Sequence, residues 1–322
     1  MKGVHLINPI IEWLLDGDVS IQYLTKKYLL DEKETDLKSL RKRIATEGWG
    51  KAFLNARNPS GHWGRRFYQP KWISSHYTLL DLRYLEVEPV DPIMETIALI
   101  LDQSKASDGS INEAVQNKSG DVCINGMFLN YASFFGAPEE YLRSVVNYLL
   151  DNIMPDGGFN CEGKITGAKH SSMHTTIAVL EGIWEFIKAG YGYRMDELKH
   201  VKANAEEFLL LHRLYKSDKT GEIINKRWTM LSFPSRWRYD ILRALVYFVD
   251  AGVPNDPRMN DALDLLLSKQ RKDGTWPIQA KHPGQVHFDM EQTGTLSRFN
   301  TLRALRVLDF YNNYLTMQEQ VK

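Results

Sequence analysis

The chain has 322 residues, 43% hydrophobic and 25% charged, and its 40 basic and 40 acidic residues cancel to a formal charge of zero. That balance, with no Lys/Arg run, argues against a nucleic-acid footprint, and two cysteines are too few for a disulfide framework, which fits a reducing cytoplasm. The segment after Met1 has no apolar core of leader length before Asp16 and Asp18, and no run of about 18 apolar residues occurs, so a cytoplasmic protein without a membrane span is expected.

From the N-terminus, residues 9–15 and 20–30 read as a short and a full helix, and 36–55 as a further one. A period then sets in. A helix that is apolar on one side ends at a polar turn carrying Gly and often an aromatic residue. A variable loop follows, and the next helix is apolar over most of its circumference. The one-sided segments are 92–103, 139–152, 195–214 and 257–270; the more apolar ones are 73–85, 122–135, 172–187, 236–249 and 297–311. Their turns centre on Gly61, Gly109, Gly157, Gly221 and Gly274, about 48 to 64 residues apart. Asp-Gly after a helix supplies a left-handed cap, and the aromatic that follows, as at Trp63, Phe159 and Trp276, can staple the turn onto its neighbour. Outer and inner helices thus alternate, six of each if residues 9–15 close against the last inner helix. A closed ring explains why no polar capping repeat stands at either end. The expected fold is all-α, one (α/α)6 toroid over residues 1–322 with an inner and an outer ring of helices.

The repeated turn, together with the closing segment Glu291-Gln292-Thr293-Gly294-Thr295 through Leu305, resembles the prenyltransferase and squalene-cyclase repeat superfamily from about Gly61 to Leu308. The resemblance implies the toroid and, more weakly, chemistry. The β subunits of protein prenyltransferases carry an N-K-x-x-D-x-C segment, matched here by Asn117, Lys118, Asp121 and Cys123, and a histidine-bearing helix start in the next repeat, matched by His174-Thr175 with Gly182 beyond. By that resemblance Asp121, Cys123 and His174 are zinc ligands and Lys118 faces a diphosphate. Carboxylate, thiolate and imidazole leave a fourth tetrahedral position open, the arrangement of a catalytic zinc. Cys161 and His170 lie in the same region and compete for the role, and spacing does not choose among the five. Two neighbouring positions depart from the family: Val115 replaces an arginine and Ile124 a tyrosine. The plainer account has Asp121 capping a helix, Cys123 packing as a small hydrophobe and His174 hydrogen-bonded in a wall. The D-x-D-D acid of the cyclases is absent, so a proton-initiated cyclase is not expected.

Other inner-helix starts are rich in polar and aromatic residues: Trp63, Tyr68, Lys71, Trp72 and His76; then Arg236, Trp237, Tyr239 and Asp240; then Glu291, Ser297 and Arg298. In a toroid these starts converge on one end of the cavity, the expected ligand site. There Asp240, Tyr239, Arg236 and His76 are the candidate catalytic groups, and Lys118, Lys71, Trp63, Trp72, Trp237, Glu291 and Arg298 the candidate ligand contacts. Taken singly, Arg236 and Arg298 also suit ion pairs with Asp240 and Glu291, and the tryptophans suit sealing the core. The leading expectation is a transferase- or cyclase-type toroid holding an isoprenoid or other apolar ligand. Aromatic walls also suit sugar rings, and a carbohydrate-active hydrolase or lyase using Asp240 and Glu291 is the second reading. A binding toroid without chemistry is the third.

Overall fold

The computed structural model describes residues 9–112 and 120–320. Its helices run in pairs. The inner ones are α2 (Val19–Tyr28), α5 (Ser75–Tyr84), α7 (Val122–Phe134), α10 (Met173–Lys188), α12 (Ile241–Asp250) and α14 (Arg298–Gln320). Helix α5 packs on α7, α7 on α10, α10 on α12, α12 on α14, and α14 returns to α2, while α4 (Gly48–Asn55) bridges α2 and α5. The ring is therefore closed. Outside it lie α1 (Pro9–Leu15), α3 (Glu34–Ile44), α6 (Asp91–Gln103), α8 (Glu139–Leu150), α11 (Met195–Leu211) and α13 (Asn260–Ser268), with the single-turn α9 (Gly163–Thr166) in a loop. The junction falls where the sequence places it: the Arg298 Nε donates to the Trp13 carbonyl at 3.0 Å, tying α14 to α1. No helix among the described residues is long and apolar enough to cross a membrane.

Burial separates the rings. Helix α7 is buried on every side, from Val122 through Ser133 with few exceptions, whereas α8 buries one side, Leu142, Val145, Val146, Tyr148 and Leu149. Four of the five turns, all but that at Gly221, are fastened by a device that hydropathy does not reveal. The residue after the turn gives its backbone N–H to a polar side chain near the start of the following inner helix: Trp63 to Ser75 (3.1 Å), Ile111 to Asn125 (2.7 Å), Phe159 to Thr176 (3.0 Å) and Trp276 to Thr301 (3.0 Å). Those polar groups satisfy backbone atoms that would otherwise be buried and unpaired. Trp63 and Trp276 also donate their indole N–H to the carbonyls of Phe53 and Leu266 in or beside the preceding outer helix, at 2.6 and 2.8 Å. They are fully buried staples, so Trp63 is a structural residue and not a ligand contact.

The span 36–55 is two helices, not one. Asp18 caps α2 through the Ser20 N–H (2.9 Å) and reaches over to accept the Trp49 N–H (2.8 Å), breaking the chain before α4. Gly48 sits there at φ +54, and a Cβ would run into the Asp18 carboxylate.

Candidate functional site

The inner-helix starts converge, as the repeat requires, yet most side chains named from them are committed to structure. Asp240 accepts the Arg243 N–H (2.9 Å) as the N-cap of α12 and the Ser232 hydroxyl (2.8 Å) on its other oxygen. Glu291 does the same for α14, accepting from the Arg298 N–H (2.6 Å) and the Ser297 hydroxyl (2.5 Å). Burial pushes both carboxyls above the usual range. The expected partners differ as well: Arg236 is ion-paired with Asp81, and Arg298 reaches toward Asp16 at 4.0 Å while stacking on Trp13. Tyr239 is buried and gives its hydroxyl to the Leu214 carbonyl. His76, fully buried, meets the Tyr131 hydroxyl at 3.3 Å, and burial lowers its pKa to about 3. Trp72 donates to the Pro283 carbonyl (2.7 Å). Lys71 is exposed beside the rings of Trp72, Trp237 and Tyr68, at 5.1, 5.5 and 5.6 Å. This end also holds a hollow of ≈ 530 Å³, lined in part by Arg236, His282, His287 and Glu291.

The zinc set can be tested on its donors. Cys123 and Cys161 are neighbours, the Cys123 N–H pointing at the Cys161 sulfur at 3.2 Å, and hydrogen bonding to Cys161 together with burial pushes the Cys123 thiol up. Asp121 stands at the α7 N-cap position without a side-chain capping bond, its pKa raised by burial. His174 is held elsewhere: its Nδ1 accepts the Tyr239 N–H at 2.7 Å, and its Nε2 faces the Trp228 indole N–H at 3.4 Å. With the Nδ1 lone pair spent on the Tyr239 N–H, the neutral ring carries its proton on Nε2, and no lone pair is offered to an ion. His170 is exposed on its loop near Asp156, and Lys118 lies outside the described residues. Among the described residues no three His, Cys, Asp or Glu side chains stand together as a metal site, so the residues as arranged do not fit zinc.

The larger hollow lies deeper in the ring, toward the C-terminal ends of the inner helices, with ≈ 830 Å³ of empty space including its mouth. Every inner helix contributes: Leu24 and Tyr28 from α2, Arg83 and Tyr84 from α5, Asn130 from α7, Glu181 and Trp184 from α10, Arg243, Tyr247 and Asp250 from α12, and Phe299, Arg303 and Arg306 from α14. Phe233, stacked on Phe299 at 3.8 Å, borders this hollow and the smaller one alike.

Its lining is charged, and the charges are paired across the ring. Arg83 meets Glu185 at 2.5 Å, Arg243 meets Glu181 at 2.6 Å, Arg306 meets Asp250 at 2.5 Å, and Lys27 meets Glu86 at 2.8 Å. Burial alone would push the Glu86 carboxyl up, but Lys27 and Arg83 hold it down at about 2. Five polar atoms in the lining have no hydrogen-bond partner: Arg83 Nε, Tyr84 Oη, Asn130 Oδ1, Trp184 Nε1 and Arg303 Nη1. Buried polar atoms are rarely left so, and these five border one hollow, where water or a polar ligand would satisfy them. None of these residues was singled out from the sequence. The available signal was a charged or amide residue in mid-course of a helix otherwise apolar all round, such as Asn130, Glu181 or Arg303.

One pH dependence follows from the buried imidazoles. Burial lowers the pKa of His76 to about 3 and those of His174, His282 and His287 to about 4, with nearby cations adding to it. The unfolded chain takes up these protons from about pH 6.5 downward and the folded chain does not, so stability is full above that value and declines toward pH 4. Asp81 opposes them: burial raises its pKa to about 6 against Arg236, so it returns stability as pH falls through 6. Asp121, Asp240 and Glu291, also raised by burial, act with Asp81, while Glu86, held down at about 2, acts with the four histidines, which set the net sign. The urea midpoint is expected to be lower at about pH 4.5 than at about pH 7.5, and equal midpoints would contradict the neutral-histidine assignment.

No protein-family model matches the sequence, and no curated protein matches it. Solved structures share the fold. A polysaccharide lyase aligns over 92% of this chain and 90% of its own at 15% identity with a TM-score of 0.51. Glycosyl hydrolase family 88 from Bacteroides vulgatus aligns over 91% and 89% at 13% identity, also with a TM-score of 0.51. The chain is an all-α toroid. The type II terpene cyclase MstE from Scytonema, solved with geranylgeranyl dihydroxybenzoate, aligns over 85% of this chain and 96% of its own at 15% identity, with a TM-score of 0.35. A shared fold at such identities does not carry function.

Proposed function

We propose that the protein is a carbohydrate-active toroid that takes a small polyhydroxylated ligand into the larger hollow. The observation that carries this reading is the set of unpartnered polar atoms in the lining, three donors, one acceptor and one hydroxyl among aromatic rings. Sugar hydroxyls both donate and accept, and Trp184, Tyr84 and Phe233 offer ring faces to the apolar side of a pyranose. The toroids matched at a TM-score of 0.51 are carbohydrate-active by name, which agrees with the reading without deciding it. An isoprenoid chain would cover guanidinium and carboxylate groups without hydrogen-bonding them, at a cost of several kcal/mol.

The chemistry open to the site is limited by its pairing. Glu86, Glu181 and Asp250 are each in contact with a cation, so the two free carboxylates of glycoside hydrolysis are not found here among the described residues. Tyr84 is the titratable lining group with an unpartnered hydroxyl, and burial pushes it up to about 12, so it stays protonated at neutral pH and can donate a proton.

The test is a binding panel read by thermal shift and calorimetry: neutral monosaccharides and short oligosaccharides against farnesol and geranylgeranyl diphosphate. Saccharides are expected to raise Tm by mass action, and Tyr84→Phe is expected to weaken the best of them about fivefold, the worth of one hydrogen bond of ~1 kcal/mol. Stabilisation by the isoprenoids and by no saccharide would overturn the proposal in favour of an apolar ligand.

A further inference from the structure

We propose, resting on that reading, that the saccharide carries a single carboxylate and that Arg303 receives it. Three of the hollow's four arginines already hold a carboxylate of their own: Arg83 has Glu185, Arg243 has Glu181 and Arg306 has Asp250. Arg303 has none. Its Nη1 is buried without a partner, and the Phe233 ring lies 5.8 Å from the guanidinium carbon. The acid acting on it most strongly is Asp240, whose two oxygens are spent on the Arg243 N–H and the Ser232 hydroxyl. Burial lowers the Arg303 pKa although Asp240 and Glu181 act against it, so the charge is only partly compensated.

The donor count points the same way. Arg83 Nε, Trp184 Nε1 and Arg303 Nη1 are three unused groups that only donate, against one that only accepts, Asn130 Oδ1, while the Tyr84 hydroxyl can do either. A hydroxyl brings a donor of its own, whereas a carboxylate brings two oxygens with about four acceptor positions, and planar guanidinium binds it best. One unpaired guanidinium matches one negative charge. A phosphate dianion would leave a charge unmatched, and burying such a charge is costly.

The experiment measures binding of D-galacturonate, D-galactose and inorganic phosphate to the full chain and to Arg303→Met. The expected result is that galacturonate binds wild type at least about tenfold tighter than galactose, a charge-assisted pair being worth ~1.5–3 kcal/mol, and that the difference disappears in Arg303→Met. Should that variant fold poorly, Arg303→Gln is expected to lose the preference in the same way. Equal binding of the two sugars by wild type, or a preference surviving either substitution, would overturn the assignment. Phosphate binding tighter than galacturonate would overturn the carboxylate in favour of a phosphoryl group. Failure of both sugars together would instead remove the saccharide reading on which the proposal stands.

Discussion

Arg243→Met will destabilise the fold by about 3–5 kcal/mol, the typical result of breaking a buried ion pair from one side. The Arg243 side chain is 2% exposed. Its Nε and Nη2 bind the Glu181 oxygens at 2.8 and 2.6 Å, and its Nη1 donates to the carbonyls of Arg236 and Arg238 at 3.1 and 2.8 Å. A single guanidinium thus joins α10, α12 and the loop that enters α12. Methionine preserves much of the bulk and none of the donors, leaving a carboxylate against the hollow and two carbonyls unsatisfied. Chemical denaturation would read the loss as a lower midpoint at unchanged m-value. The double variant Arg243→Met/Glu181→Met is expected to recover most of it, because no stranded charge remains. A cost below about 1 kcal/mol for the single variant would mean that water in the hollow already shields the pair.

The same ion pairs explain what the sequence could and could not disclose. Arg83 and Glu185 are 102 positions apart, and Arg243 and Glu181 are 62 apart. Spacing carries no trace of such pairs until the ring has closed. The closure was legible because its signals are local: Asp108-Gly109 and Asp273-Gly274 form turns within two residues, and the buried stripe of α8 recurs at helical period. The side chains that clasp those turns, Ser75, Asn125, Thr176 and Thr301, were not legible, since a polar residue near a helix start reads equally well as a cap. That ambiguity also bears on the site. Asp240 and Glu291 suit an acid–base pair by residue type, and the structure uses both to cap helices. His174 suits a metal by resemblance, and the structure binds it to the backbone of Tyr239. The hollow's own residues were not singled out because the inner helices were read as apolar over most of their circumference, with no weight given to the few charged positions within them.

Gly182→Ala should separate two inner helices by the addition of a single methyl group. Helices α7 and α10 make the most extensive contact between any two elements described, and they come that close because glycine faces glycine. A Cβ on Gly182 would fall on the Gly126 carbonyl, and one on Gly126 would lie 2.7 Å from both the Ala178 oxygen and the Val179 Cα. The obstacle is helix backbone on both sides, so no rotamer change relieves it, and the helices must separate. Overpacking of this kind costs about 1–3 kcal/mol and occasionally more, against about 1 kcal/mol that alanine returns through helix propensity; a net loss of up to roughly 2 kcal/mol is expected. The consequence for the site is separable from the loss of stability. Asn130 projects from α7, and Glu181 and Trp184 from α10, into the same hollow, so parting the two helices widens the space between the groups that hold a ligand. Saccharide affinity should therefore fall even at temperatures where Gly182→Ala remains folded. A stable Gly182→Ala protein with undiminished affinity would mean that the spacing of these two helices does not set the geometry of the hollow.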